Sequence, residues 1–298
     1  MTQPHPQSIL LSVRHARVDR DAALMCEDLH FDIDGPRVAI AGSGANAIIA
    51  AIAMSATVSR GQILVDGHDV GTRTHIAHVG IAPADLHLPP GMSVEQYLLL
   101  SFRTLGLSRR DASDAVASSL SSLGLTALAS RSTRSLATCE CRAVIIAAAM
   151  IPGSKTLVAE SPLCGLEGAQ CQFLVSVLER AAESRCILAS VQRYDASTAE
   201  RDVIAKATNV AILTRAAVLW MGKPSGLIAA LPRLALHVDC SSSTAREFIR
   251  ELEEAGFAPE GQPPHLTVLL SESATTKVLL AVALRCGATV LEMIPLVH

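Results

Sequence analysis

Val38-Ala39-Ile40-Ala41-Gly42-Ser43-Gly44-Ala45-Asn46-Ala47-Ile48 is the stretch on which the fold turns. Four apolar residues run into glycine, and an alanine- and isoleucine-rich segment follows. The pattern predicts a buried central parallel strand, a tight loop, and an apolar helix from about residue 46 to residue 56. Residues 38–59 carry no charge and are long enough for a membrane span, but the turn-forming, polar 42–46 centre argues against one. A strand entering a glycine loop at a helix N-terminus is a common place for an anion site, because free N–H groups and the helix dipole converge there.

A triphosphate loop of this design also needs a lysine for the β and γ phosphates and a Ser or Thr hydroxyl for magnesium. Ala47 and Ile48 stand in those places, and no lysine occurs before Lys155. Losing two such contacts, at about 1.5–3 kcal/mol each, weakens a nucleotide site roughly 10²- to 10⁴-fold. A second reading takes Gly42-x-Gly44-x-x-Ala47 as a dinucleotide fingerprint, with Asp66 ending the next strand near the ribose. A third makes it a turn that packs helix on strand and binds nothing.

Outward from this stretch, residues 9–18 and 28–34 alternate like half-buried strands. Short strands are expected at 62–65 and 79–82. Residues 93–150 read as helical, opened by the capping sequence Ser93-Val94-Glu95-Gln96 and broken at Gly106 and Gly124. A strand at 156–159, a helix at 169–182, a strand at 186–190 and a hairpin of 210–213 with 217–220 follow. Past Leu231-Pro232 the pattern becomes strand 234–239, helix 244–255, strand 265–270, helix 274–286 and strand 288–294. The expected organisation is an α/β domain over 1–230 with a helical insert at about 90–150, and a small βαβαβ domain over 231–298.

Half of the 298 residues are hydrophobic and 18% are charged, which excludes a disordered chain. A net charge of −3 and 3% aromatic residues give neither a basic field nor a stacking platform for nucleic acid. Eight cysteines without paired CxxC spacing, and no basic-then-apolar leader, point to the reducing cytosol. His75, His78 and His87 read as solvated or capping histidines rather than metal ligands. Cys139-x-Cys141 reads as small buried cysteines.

In order and spacing over about residues 9–228, the chain resembles the nucleotide-binding subunit of ABC transporters. Ala41 to Ile48 fall on the Walker A loop, and Gly61 to Val70 on the strand and turn after it. Val79 to Ala84 fall on the Q-loop segment, and Leu136-Ala137-Thr138-Cys139-Glu140 on the LSGGQ signature. Glu160 to Glu167 fall on the Walker B and D-loop string, and Ile187 to Gln192 on the strand ending in the switch histidine. The resemblance implies a P-loop NTPase-like ABC ATPase core with a helical subdomain. The C-terminal βαβαβ unit resembles an appendage of the exporter, drug-resistance branch.

The same comparison implies lost chemistry. Ala47 replaces the phosphate lysine, Ile48 the magnesium hydroxyl, Ala84 the Q-loop glutamine, Ser161 the catalytic glutamate and Gln192 the switch histidine. Ala137, Thr138 and Cys139 replace the signature serine and glycines, with Glu140 after them. Glu160 is a conservative replacement for the Walker B aspartate, and no aromatic residue precedes Phe31 to stack on adenine. The degenerate loop comprises Gly42, Ser43, Gly44, Asn46, Ala47 and Ile48. The expectation is a pseudo-ATPase with no catalytic residues and no metal. No cofactor is expected, binding of the family's ATP and magnesium being weak or absent. The expected partners are an integral-membrane permease and a second ABC-type ATPase subunit, as homo- or heterodimer, without nucleic acid and without membrane insertion. The expected location is the cytoplasmic face of the membrane. The alternatives are a Rossmann-type dinucleotide enzyme and an unorthodox but active ABC ATPase.

Overall fold

The computed structural model describes residues 9–295 apart from 73, 85–86, 192–199, 229–232, 258 and 270–275. The chain opens with β1 (Ile9–Arg20), β2 (Ala23–Asp34) and β3 (Arg37–Ala41). These are followed by α1 (Ser43–Ile52), β4 (Thr57–Val65), β5 (His68–Asp69) and β6 (Val79–Ala82). Helices α2 (Val94–Thr104), α3 (Arg109–Ser122) and α4 (Thr138–Ala149) form the helical insert. Then come β7 (Thr156–Ala159), α5 (Gly168–Ala182), β8 (Cys186–Val191), α6 (Glu200–Lys206), β9 (Asn209–Leu213), β10 (Val218–Gly222) and α7 (Pro224–Ile228). The chain ends with β11 (Arg233–Asp239), α8 (Ser242–Glu254), β12 (Pro259–Gln262), β13 (His265–Leu269), α9 (Thr276–Cys286) and β14 (Thr289–Pro295).

Three sheets result. The first is antiparallel in the order β2-β1-β4-β5, and the second runs β10-β9-β3-β8-β7-β6. In the second, β9, β3, β8, β7 and β6 are parallel and β10 adds an antiparallel edge. Helix α1 packs against strands of both sheets, and eight of its ten residues are buried. An apolar surface on all sides fits a helix enclosed in a core. That accounts for the uncharged run at 38–59: among the described residues no helix is long and apolar enough to cross a membrane.

The helical insert is built much as its capping signals predict. Ser93 accepts from the Gln96 N–H while the Gln96 side chain accepts from the Ser93 N–H, a complete capping box at the start of α2. Leu98, Phe102, Val116, Leu120 and Val144 then join α5 in one core.

The third sheet, β12-β13-β11-β14, is antiparallel throughout and has its own core of Leu236, Phe248, Leu252, Leu279 and Val282. The expected βαβαβ order here is βαββαβ. The extra strand Pro259–Gln262 forms a hairpin with β13. Its Pro-Glu-Gly-Gln sequence carries turn residues and no apolar alternation, so only its place on the sheet edge makes it a strand.

Candidate functional site

The parallel strands share a carboxyl edge, and the residues singled out in the sequence lie along it. Register pairs Ala41 with Val191 across β3 and β8, Ala159 with Ala189 across β7 and β8, and Ala82 with Ala159 across β6 and β7. The β3–α1 turn, the end of β8, Glu160 and the Pro83-Ala84 turn therefore sit side by side at the edge where open α/β sheets bind ligands. Gln192 lies outside the described residues.

At the β3–α1 turn the expected loop is missing. Helix α1 starts at Ser43, three residues before the expected start, so Gly42 is the whole connection. Gly42 has φ +91°, and the Ala45 N–H already donates to its carbonyl at 3.1 Å. Alanine-rich sequence where a phosphate loop would stay irregular favours helix from the first residue available. A Cβ on Gly42 would stand 2.2 Å from the Leu213 carbonyl oxygen, and one on Gly44 2.3 Å from that of Thr214. Both glycines thus let the end of β9 approach α1, which is the packing-turn reading of the motif.

Ala47 and Ile48 are fully buried in the core between the sheets. Asn46 is exposed, and Ser43 Oγ is buried without a hydrogen-bond partner. These side chains offer neither a cation for phosphate nor a hydroxyl in the magnesium position. They do not fit the lysine-and-hydroxyl way of holding a magnesium triphosphate.

Further along the edge, the Ala84 N–H donates to Glu160 Oε2 at 3.2 Å, tying the β6 turn to the end of β7. Arg142 of α4 donates through Nη1 to the Pro162 carbonyl at 2.9 Å. Pro83, Ala84, Arg142, Glu160 and Pro162 line a shallow cleft with almost no enclosed space. Ser161 is 2% exposed at φ +39°, and its N–H donates to Ser190 Oγ at 3.0 Å. That contact joins the turn after β7 to β8 across 29 residues and has no sequence signal.

Ala137 is the N-cap of α4, with Thr138, Cys139 and Glu140 forming its first turn. Glu140 accepts from the Ala137 N–H at 2.8 Å and pairs with Arg131. Cys139 points into the helical core, and the eight cysteines are free. His75 is buried and bonds through Nε2 to the Ile52 carbonyl at 2.9 Å, where it caps the C-terminus of α1. His78 stacks on His68 with ring centroids 4.1 Å apart.

The dinucleotide reading is corrected by topology. Asp66 sits at φ +49° in the β4–β5 hairpin turn, and β4 belongs to the antiparallel sheet rather than beside β3. It cannot take the ribose position, which requires the parallel strand next to β3.

Residues 28–163 match the sequence model of the ABC transporter family. The Fe(3+) ions import ATP-binding protein FbpC of Streptomyces coelicolor is 30% identical over 135 residues, 45% of this chain; the matched stretch spans 39% of that relative's length. Among solved structures, cbiO1 from Clostridium perfringens, part of the ABC transporter complex cbiONQ, aligns with a TM-score of 0.60 at 16% identity. That alignment covers 74% of this chain and 91% of that one. A bacterial Atm1-family ABC exporter with ATP bound aligns with a TM-score of 0.57 at 19% identity, over 76% of this chain and 40% of that one.

These matches correct the expectation that no cofactor is involved. The sequence relative is an ATP-binding protein, and the exporter of similar fold has ATP bound. Ala47 and Ile48 bear on how a nucleotide is held, and they do not exclude one. The chain carries the fold of an ABC transporter ATPase domain, and its residues 28–163 are homologous to ABC ATP-binding subunits.

Proposed function

We propose that the chain is a catalytically degenerate ATP-binding-type subunit of an ABC transport complex. It docks from the cytoplasmic side on an integral-membrane permease, beside a second ATPase subunit, and serves as a structural or regulatory half. In this reading residues 1–230 are the ABC-type domain and 231–298 a small appended domain, and that appendage is what favours the exporter branch. The degenerate loop is Gly42 to Ile48, with Glu160 at the Walker B place and Ala137 to Glu140 at the signature.

The observation that carries the reading is at the β3–α1 turn. A one-residue connection and buried Ala47 and Ile48 stand where phosphate and magnesium contacts are needed to stabilise charge in phosphoryl transfer. Ser161 adds to it, since a buried serine has no carboxylate with which to position an attacking water.

The test is phosphate release from Mg-ATP by the purified full chain, with nucleotide binding measured separately. Release at the uncatalysed background is expected whether or not nucleotide binds. Turnover in the ordinary enzyme range, about 1 s⁻¹ or faster, overturns the proposal.

A further inference from the structure

The third sheet is apolar on both faces at one end. Leu234, Leu236 and Val238 of β11 face the helices α8 and α9. Ala235 of β11 and Ile294 of β14, paired across the ladder, face the other way and are 1% and 7% exposed. They are buried by Ala39 and Ala41 of β3, Val191, Ile212 and Ile204, in a cluster that Trp220 flanks. A Cβ on Gly42 would lie 3.4 Å from Ile294 Cδ1, so the seat reaches the turn that opens α1.

The chemistry of this seat is lopsided. The seat is built on Ala39, Ala41 and Ala235, which allow close approach but bury little area each, and among the described residues Ile294 is the large side chain that the C-terminal unit inserts. The next row on the same sheet face is polar, with His237 paired to His265 and to Glu292. The C-terminal unit has a separate core, so it can lift as a body without losing its own packing.

We propose that the C-terminal unit is a latch on the carboxyl edge of the central sheet, held chiefly by Ile294, and that lifting it uncovers the β3–α1 turn. The proposal rests on this geometry alone and is judged without nucleotide, so it stands or falls separately from the function above.

The chain contains a single tryptophan, Trp220, beside the seat, which makes intrinsic fluorescence a direct reporter. In the full chain, Ile294→Asp is expected to red-shift Trp220 emission and to speed amide exchange across residues 41–44 about tenfold or more. Exchange at Phe248 and Leu252 in α8 stays protected. If α8 also loses protection, Ile294→Ala replaces that variant and is expected to shift both readouts the same way by a smaller amount. Leu284→Asp, at an 83% exposed site on α9, is expected to move neither. Unchanged emission and exchange in a folded Ile294 variant, or equal shifts in Leu284→Asp, overturns the latch.

Discussion

At Gly44 the absence of a side chain is a tertiary requirement. A Cβ there would meet the Thr214 carbonyl oxygen at 2.3 Å and Leu213 Cβ at 2.8 Å. Gly44→Ala is therefore expected to cost about 2–3 kcal/mol, read as a lower thermal midpoint. Gly67→Ala is the contrast: φ is +78° but nothing lies within 4 Å, so only backbone strain of about 1 kcal/mol is expected. Ala47 gives the sharper test of the degenerate loop. It packs in the core between the sheets, so Ala47→Lys alone buries an ammonium rather than presenting one to a phosphate. The variant is expected to lose about 3 kcal/mol and to melt about 6–12 °C lower in a unit of this size. An unchanged midpoint would mean that the lysine reaches solvent or an anion. Cys26 shows the same core chemically, because burial pushes its thiol up to about 11 and leaves it a neutral, unreactive group.

The start of α4 is an unfinished cap, and that is an element-scale defect. Ala137 has the extended N-cap conformation, with φ −70° and ψ 161°, and Glu140 already reaches back to its N–H. No hydroxyl answers the Glu140 N–H, whereas Ser93 does this for α2. Ala137→Ser is expected to complete the box, adding about 1 kcal/mol and raising the midpoint by about 2–4 °C. Differential scanning calorimetry decides it, and a fall in midpoint would count against the cap geometry. The start of α2 was legible because its signal is local, Ser93 with Gln96, whereas the cap that Ser108 gives the Asp111 N–H at the start of α3 was not read from the sequence. The start of α1 was not, because the residues that close on it, Leu213 and Thr214, come from a strand about 170 positions away.

For the whole molecule, the C-terminal unit holds a histidine that makes its stability respond to mild acid. Burial, and then the neighbouring His237, hold the His265 imidazole below its ordinary value of 6.5. Above pH 6.5 the folded and unfolded chains are both neutral at this site, and no penalty exists. As pH falls below 6.5 the unfolded chain takes the proton first, so stability is lost until the folded pKa is passed. Thermal unfolding followed at pH 7.5 and 5.5 should show the midpoint of this unit falling, and His265→Gln should remove part of that slope. An equal slope in the variant would place the pH response elsewhere. This behaviour belongs to a sheet with its own core, which explains how 233–295 can respond apart from the two sheets around α1.

The sequence by itself determined the alternation of β1 and β2, the parallel strands from apolar runs, and the helices of the insert with the capped start of α2. These depend on neighbours a few positions apart, where periodicity and turn chemistry act. Tertiary structure alone decided that Gly42 and Gly44 serve the approach of β9, that Asp66 lies in a hairpin of another sheet, and that Pro259–Gln262 is an edge strand. It also decided that Ile294 rests against the β3–α1 turn. Each of these is a contact between backbones or side chains far apart in the chain, set by sheet order and register, to which local propensity is blind.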